Sequence, residues 1–583
     1  MFLLALTKSD ITDRLGSYNF EEFTVHSTRL TIVFDNFLSQ IISEEDGLSV
    51  IESPLIFHGD PKEIILSQAM YSKEKEVLEV SVPFISGRPI YYHLDSKGNF
   101  YCSTHISMLR QAGVGIRENM MALPEFFVFC STMPPQTLYE NIWQLNLGSR
   151  LYVKPHNGKC KIEAINEFDP PKESRNPNLI KDFPLRTSNL LSRSIQSLGT
   201  CKNRLTVLLS GGLDSSLLLK TCQTLNYDVD TTYSTGYPFE NFERDYALSA
   251  ADYFGTNHKY QEITVLEYLR GLLETISVAE QPLPHMQSVL LYLLLKDGLP
   301  KSKDIVLNGQ SADGLSCNST SALVYKFRKR SIMYKLLQRM GKIPIVSHLP
   351  STKWAIEFQS KIDCTVKDPN SVIWSSDAFG SIDWTSEYFN VKRGDIIKNR
   401  LGVIKQFGER SIYEIITIYG FLGSNANTQS IWSKLGESQQ KIVYYPYNNS
   451  DLVNYFFSIP PDTKFKRYKH VLREVAHHCG LPKFIINRPK LGFNPLTTNP
   501  LVKEKIFEPL ISVASKVFDE QQIRKVQPSD WGPKFWTFWN ILNYSIWKRL
   551  WINNEPKEDL LEELTANDEL ISEALTCNHW GRT

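Results

Sequence analysis

Residues 205–216 of this chain, LTVLLSGGLDSS, place two glycines, three serines and one aspartate directly after an apolar run. Glycine lets a backbone turn sharply and approach a ligand closely. The N–H groups at the start of a following helix, together with the serine hydroxyls, form a cradle for an anion. The carboxylate of Asp214 is placed to hold a divalent cation against bound phosphates. The segment therefore predicts a phosphate-binding loop.

The neighbouring residues put this loop between a strand and a helix. Apolar or β-branched residues at 205–209 predict a buried strand, and the leucines at 217–219 open a helix. A glycine-rich turn that binds no ligand is the simpler alternative. Such a turn does not require a buried strand before it and a helix after it, whereas a phosphate-binding loop does. The loop is not of the Walker type, because the Gly-Lys-Ser/Thr ending is absent. It resembles the SGGxDS loop of ATP pyrophosphatases, which split ATP between its α and β phosphates.

The composition excludes several classes of protein. A chain of 583 residues is expected to form two to four domains, and 42% hydrophobic with 22% charged residues is typical of a soluble globular protein. A net charge of +1 gives no general attraction to nucleic acid or acidic membranes, and no long apolar run predicts a membrane span. The nine cysteines show no zinc-ligand spacing. We therefore expect a cytoplasmic protein without nucleic-acid or membrane partners.

The pattern of predicted secondary structure changes near residue 169. Short alternating runs at 28–34, 77–82 and 90–94 predict strands in a first domain, 1–168, and the proline-rich stretch that follows predicts a linker, 169–182. Strands and helices then alternate, which favours a parallel sheet with ligands at the carboxyl ends of its strands. This second domain is placed at 183–550, with a helical insert at about 320–440. An acidic tail occupies 551–583, and its part from Glu555 to Glu573 is predicted to be a solvated amphipathic helix.

Further motifs, in the same order along the chain, resemble those of the asparagine synthetase family. They are Tyr233-Ser-Thr-Gly-Tyr-Pro, Glu243-Arg-Asp-Tyr-Ala247, the segment LNGQSADG at 307–314, Ile459-Pro-Pro-Asp462, Lys469-His-Val-Leu-Arg473 and Arg488-Pro-Lys-Leu-Gly-Phe493. Segments at 87–92 and 137–148 resemble, more weakly, that family's glutaminase domain. The resemblance implies an α/β fold: an N-terminal α-β-β-α sandwich of the Ntn type, then an ATP-pyrophosphatase-type parallel sheet with a largely helical C-terminal part.

The resemblance also implies roles for individual residues. Asp214 and Asp313 match the two aspartates that hold magnesium, and Lys490 matches a lysine that stabilises charge on the leaving pyrophosphate. The predicted ATP-binding residues are Leu209, Ser210, Gly211, Gly212, Asp214, Ser215, Thr235, Asn308 and Gly309. ATP and Mg²⁺ are thus the expected cofactors.

Three departures from the family pattern change the expected chemistry. A working glutaminase of this family carries cysteine after the initiator methionine, where this chain has Phe2, and the nearest cysteine is Cys102. Gln310 stands where asparagine synthetases have glutamate; it can orient a substrate but cannot accept a proton near neutral pH. Gly314 replaces a usual acidic residue and removes one metal ligand or supporting partner.

These departures bring the chain nearest in character to β-lactam synthetase and the lasso peptide cyclases, which also lack glutaminase activity. The expected function is an ATP-dependent, AMP-forming ligase that activates a carboxylate for attack by an amine, most simply in closing a lactam or macrolactam ring. Its substrate would be a small molecule or peptide carrying both groups, and a peptide substrate would imply a protease that processes the precursor. Two alternatives stay open: an ammonia-dependent, asparagine synthetase-like enzyme, and a degenerate homologue that binds a nucleotide without chemistry.

Overall fold

The computed structural model describes residues 2–7, 11–15, 19–25, 28–34, 39–44, 47–52, 67–83, 88–157, 159–174, 176, 178–199, 204–236, 242–316, 373–374, 378–489, 509–527 and 533–565. Lys490 lies outside these ranges.

The described residues before position 167 form two antiparallel six-stranded sheets. The strands are β1 (Phe2–Thr7), β2 (Asn19–Val25), β3 (Thr28–Phe34), β4 (Ser39–Glu44), β5 (Gly47–Glu52), β6 (Ser67–Ser72), β7 (Val77–Val82), β8 (Tyr91–Leu94), β9 (Phe100–Ser103), β10 (Trp143–Gln144), β11 (Ser149–His156) and β12 (Lys159–Asn166). The strand orders of the two sheets are β10-β8-β9-β1-β3-β2 and β12-β11-β7-β6-β5-β4. The strands predicted at 28–34 and 77–82 are confirmed as β3 and β7, and that at 90–94 as β8.

A shared apolar core lies between the two sheets. Leu4 and Leu6 of the first sheet pack with Val80, Leu151 and Val153 of the second, and all five side chains are buried. Successive side chains point to opposite faces, so β6 and β7 alternate between buried and half-buried residues, whereas β1 is buried along its whole length. The other face of the first sheet packs against helices that include Ile106–Gln111 and Leu123–Phe129. These are three layers, and the second helical layer of the predicted sandwich stays a prediction.

A parallel sheet forms the centre of the second domain, as predicted. Its strands are β13 (Leu205–Val207), β14 (Thr231–Gly236), β15 (Asn257–Glu262), β16 (Ile305–Leu307) and β17 (Ile442–Tyr444). β13, β16 and β17 pair in that order, β14 pairs with β15, and a parallel bridge between Leu208 and Tyr233 joins the two groups. The spatial order is therefore β15-β14-β13-β16-β17. The sequence analysis did not predict β17, which follows the helical region.

Helices pack around this sheet. Among the described residues they are Asn178–Lys181, Phe183–Gln196, Leu213–Thr224, Phe242–Phe254, Val265–Ala279, Gln287–Leu293, Ala312–Ser316, Ile382–Phe389, Arg393–Ile396, Lys398–Lys405, Ile412–Gly420, Ala426–Ser438, Ser450–Ser458, Pro461–Lys464, His470–His478, Lys483–Ile486, Glu520–Lys525, Pro533–Trp547 and Lys557–Thr565. Wider π-helical turns occupy Leu294–Gly298, Phe421–Asn425 and Lys548–Ile552, and 3₁₀ turns occupy Thr12–Arg14 and Pro446–Asn448. None of the described helices is long and apolar enough to span a membrane.

The segments on either side of the predicted second domain both lie against it. Arg410 binds both the carboxylate of Asp169 and the carbonyl oxygen of Pro170, so this part of the predicted linker lies against the second domain. In the predicted tail, helix Lys557–Thr565 buries Leu560 and Leu564 completely, so its apolar face is covered rather than solvated.

Buried ion pairs join the two domains. Arg400 donates to Glu125 at 2.7 Å, and Arg88 donates to Glu437 at 2.6 Å. Arg400, Glu125 and Arg88 are almost fully buried, and Glu437 is nearly so. Because a buried charge that loses its partner is strongly destabilising, these pairs favour one arrangement of the two domains.

Candidate active site

The loop between β13 and helix Leu213–Thr224 turns at Gly211. Its φ of +68° lies in the left-handed region that side chains rarely adopt, and a Cβ atom there would overlap the backbone of Tyr246. A glycine is therefore required both by the backbone conformation and by the close packing of helix Phe242–Phe254.

Serine hydroxyls hold the loop in shape. Ser215 Oγ accepts from the N–H of Ser210 at 3.3 Å, and Ser210 Oγ accepts from the N–H of Gly212 at 3.3 Å. Gly212 is the N-cap of the following helix, and no side chain caps that end. Because the first N–H groups of a helix have no partners within it, this end attracts an anion.

Two aspartates from different strand ends meet at one lysine ammonium. Asp214 lies in the first turn after β13, and Asp313 lies in the short helix after β16. Lys469 Nζ contacts the carboxylate of Asp214 and lies 2.8 Å from Asp313 Oδ1. The hydroxyl of Tyr468 also donates to Asp313 Oδ1, at 2.9 Å. β13 and β16 are neighbours in the sheet, which is why residues 99 positions apart come together.

The protonated form of Lys469 is strongly stabilised. Burial alone would lower the pKa of its ammonium, but the carboxylates of Asp214 and Asp313 outweigh burial and raise that pKa well above the ordinary value. Lys469 precedes helix His470–His478 with a φ of +51°, so its backbone also adopts an uncommon conformation. The protonated amine thus stands between the two carboxylates at neutral pH.

A second cation, Arg488, contacts both the loop and the neighbouring helix Phe242–Phe254. Its Nη1 donates to the carbonyl oxygen of Ser210 at 2.7 Å, and its guanidinium lies 4.5 Å from the ring centre of Tyr246. Nη2 is 3.4 Å from Glu243. Burial lowers the pKa of Arg488, and Glu243 opposes that effect. Arg488 therefore links the loop to helix Phe242–Phe254.

These groups open into a cavity of about 800 Å³. The predicted residues that line it are Ser210, Gly212, Asp214, Ser215, Gln310 and Asp313. An apolar part of its wall includes Phe129 of the first domain and the contacting rings of Phe379 and Trp536, whose centres are 5.2 Å apart. The cavity therefore combines a charged region with an apolar one, as ligand sites commonly do.

Other predicted ATP-binding residues are not among those that line this cavity. Leu209 is fully buried, and Asn308 Oδ1 accepts from the N–H of Gln310 at 2.8 Å. A Cβ atom on Gly309 would lie 3.1 Å from Cβ of Asp214, so this glycine backs the aspartate. The hydroxyl oxygen of Thr235 is buried and has no hydrogen-bond partner among the described residues. Contact of these four residues with adenosine stays a prediction, as does the role of Lys490.

The donor set suits magnesium bound together with a nucleotide. A lysine ammonium already serves as a cation between Asp214 and Asp313. No group of three or more acidic, histidine or cysteine side chains that could hold a metal occurs in the described part of the chain. Magnesium is commonly held by one or two carboxylates, with substrate phosphates and water completing its shell. The uncapped helix end beside Asp214 supplies N–H groups for those phosphates.

The sequence analysis missed Lys469, Tyr468 and Arg488 as site residues. Lys469 and Arg488 stand inside two of the motifs that carried the family resemblance, and each was treated there only as a landmark. Their cationic side chains beside a predicted phosphate loop were the signal that could have identified them.

The first domain contains two positions relevant to glutamine hydrolysis. Phe2 is fully buried in β1, and its N–H donates to Thr104 Oγ1 at 3.3 Å. Cys102, in the neighbouring β9, is also fully buried, and burial raises the pKa of its thiol far above the ordinary value. A protonated, inaccessible thiol is a poor nucleophile.

A known protein family matches part of this chain. The asparagine synthase family model matches residues 186–359 and 442–552, which contain every charged site residue described above. The match supports the asparagine synthetase superfamily, whose members are ATP-dependent amide-forming ligases. No curated protein matches the chain.

Proposed function

We propose, from the asparagine synthase match and the geometry of this cavity, that the chain is an ATP-dependent, AMP-forming amide-bond ligase. The observation that supports it most directly is the pair Asp214 and Asp313 held at one cation beside an uncapped helix end. The finer proposal is a ring-closing enzyme, similar to lasso peptide cyclases and β-lactam synthetase, without glutaminase activity. The burial of Phe2 and Cys102 supports that loss.

Two bond-forming steps make up the proposed reaction. A carboxylate oxygen of the substrate attacks the α-phosphorus of ATP, and pyrophosphate leaves. An amine then attacks the activated carbonyl carbon, AMP leaves with the electrons of the broken C–O bond, and the amine loses a proton. Ring closure requires only that the carboxylate and the amine belong to one molecule.

Residues of the chain position these groups and balance their charge. Ser210, Gly212 and Ser215 shape the loop that receives the phosphates, and Arg488 keeps this loop against its neighbouring helix. Magnesium, when bound by Asp214 and Asp313, supplies positive charge to the phosphates. Lys469 balances the charge of the same two aspartates in the absence of magnesium. Transfer of this kind depends on position and electrostatics, because charge accumulates on phosphate oxygens.

Pyrophosphate release from Mg·ATP tests the proposal. The purified chain is assayed with and without a panel of amino acids, their N-acetyl forms and small-molecule extract, and Asp214→Asn is compared with Asp228→Asn, an exposed aspartate. We expect carboxylate-dependent release that falls roughly 100-fold or more in Asp214→Asn, since a neutral amide removes the metal-binding charge. Asp228→Asn should match the unmodified chain.

Two results would contradict the proposal. Release that is unchanged in Asp214→Asn would place the chemistry elsewhere. Retained ATP binding without release under any condition would instead favour the degenerate nucleotide-binding homologue. Release that occurs with aspartate and ammonia would support a ligase but replace the ring-closing proposal with asparagine synthesis.

A further inference from the structure

The side-chain amide of Gln310 is held in one orientation by a chain of hydrogen bonds. The backbone carbonyl of Gly420 can only accept, so Asn425 must turn its Nδ2 toward it, at 2.8 Å. Oδ1 of Asn425 therefore faces Gln310 and accepts from Gln310 Nε2 at 3.0 Å. This leaves Oε1 of Gln310 as the amide acceptor that can face the cavity lined by both residues. The carbonyl oxygen of Gly420, which can only accept, thus determines the orientation of both side-chain amides.

Gly314 belongs to the same arrangement. A Cβ atom at position 314 would overlap Nδ2 of Asn425, the atom that donates to Gly420. An alanine there would have to displace an amide that two hydrogen bonds hold in place. Gln310 and Gly314, the two departures from the family pattern near β16, therefore both concern Asn425. Gln310 donates a hydrogen bond to it, and Gly314 leaves space for its side chain. They are parts of one local structure rather than two separate losses.

Asn425 itself lies outside the region shared with the family. It ends the π-helical turn Phe421–Asn425, within the stretch between the matched segments 186–359 and 442–552. Gly423 in that turn departs from helical backbone, with φ −82° and ψ −121°. Such wider turns redirect side chains and often occur at functional sites. The turn brings Asn425 to the cavity wall beside Gln310.

We propose that Gln310 Oε1 binds the attacking amine and that Asn425 is the positioning residue that orients it. This proposal rests on the proposed ligase function. A neutral carbonyl acceptor binds the N–H of an uncharged primary amine without taking its proton, whereas a carboxylate at this position would favour ammonium. The attacking amine is therefore bound in its uncharged form, as in a peptide N-terminus that has lost its proton.

Separate measurement of the two half-reactions tests the proposal. Exchange between pyrophosphate and ATP, with the carboxylate that supports release, reports the first half-reaction. Hydroxamate formation from hydroxylamine, which is largely uncharged at pH 7.5, reports the second. The variants are Asn425→Leu and Gln310→Leu, with Asn427→Leu as the matched control. Asn427 is two residues further along and equally buried, but it binds Gln281 instead.

We expect both variants to retain exchange within about twofold and to raise the KM for hydroxylamine about tenfold, the effect of losing one hydrogen bond. The double variant should be no worse than either single one, and Asn427→Leu should match the unmodified chain. Normal exchange with an unchanged hydroxylamine KM in Asn425→Leu would overturn this proposal alone. Absence of exchange with every carboxylate would overturn the proposed function and this proposal together.

Unfolding provides a second test that needs no substrate. Gly314→Ala should lower the unfolding midpoint of the unmodified chain and leave that of Asn425→Ala unchanged, because truncation of Asn425 removes the overlap. Equal destabilisation by Gly314→Ala in both backgrounds would contradict the fit between Gly314 and Asn425, and with it the fixed orientation of Gln310.

Discussion

The ammonium of Lys469 lies 2.8 Å from Asp313 and also contacts Asp214, so one cation joins the ends of two neighbouring strands. The Lys469 side chain is only 9% exposed. Two carboxylates that share such a position repel each other unless a positive charge lies between them. Lysine and magnesium are therefore alternative cations for the same pair of aspartates.

Removal of this ammonium should make the chain more sensitive to magnesium. Lys469→Met leaves Asp214 and Asp313 without their lysine partner, so we expect a lower unfolding midpoint in the absence of magnesium. Added Mg²⁺ should raise that midpoint more in the variant than in the unmodified chain, because ligand binding stabilises the folded state. Thermal unfolding with and without MgCl₂ measures this, with the exposed Lys466→Met as control. An equal magnesium effect in both proteins would argue against a metal site at these aspartates.

Substitution of Gly211 should disrupt the phosphate loop. Gly211→Ala combines a strained positive φ with overlap of the Tyr246 backbone, whereas Gly255→Ala carries a similar φ of +66° with nothing within 4 Å. Strain alone costs about 1 kcal/mol, so Gly255→Ala should be mildly destabilised and bind ATP normally. Gly211→Ala should lose ATP binding in equilibrium titration. Normal ATP affinity in Gly211→Ala would remove the loop from the nucleotide site.

Arg488 should affect ATP affinity more than turnover. Lysine cannot reproduce both the bond from Arg488 to the Ser210 carbonyl and the stacking on Tyr246, because its ammonium is a compact point charge. We expect Arg488→Lys to raise the KM for ATP roughly tenfold, equivalent to about 1.4 kcal/mol, with kcat within about twofold. The control is Arg467→Lys, at a surface pair with Glu474. A fall in kcat without a change in KM would instead assign Arg488 to the chemical step.

A buried cluster at the domain interface should make stability depend on pH. Burial lowers the pKa of His105 from 6.5 to about 4, even though Glu437 and Glu280 oppose it. Burial would raise the pKa of Glu280, but Lys434 and His105 outweigh it and lower that pKa to about 2. Between pH 6.5 and 4 the unfolded chain binds a proton at His105 that the folded chain does not. The contribution of His105 to stability is therefore full above pH 6.5 and falls by roughly 3 kcal/mol as the pH decreases to 4.

Urea unfolding midpoints at pH 7.5 and 5 measure this dependence. We expect the midpoint of the unmodified chain to fall at the lower pH, and His105→Gln to show a smaller fall because position 105 no longer titrates. His156→Gln, at an exposed position, should behave like the unmodified chain. An identical pH dependence in His105→Gln would assign the effect to other groups, such as His258, whose pKa burial also lowers to about 4.

Local patterns in the sequence predicted the elements that hold the loop. The strand before the loop was predicted at 205–209 and is observed as β13 (Leu205–Val207), because short apolar runs between polar turns identify buried strands. β17 was missed because its three residues, Ile442–Tyr444, follow a long helical region. Its position at the sheet edge depends on pairing with β16, a contact between distant segments.

The sequence by itself determined which residue types form the predicted phosphate site: the glycine turn, the serines and the two aspartates lie in short motifs whose chemistry is local. Only the tertiary structure decided which distant residues contact the residues of these motifs. Lys469 meets Asp214 across 255 positions of sequence, and Gln310 meets Asn425 across 115. Such pairs are created by strand order and helix packing, which bring distant segments to the same edge of the sheet. Periodicity and spacing describe only neighbours along the chain, so these partnerships follow from the fold.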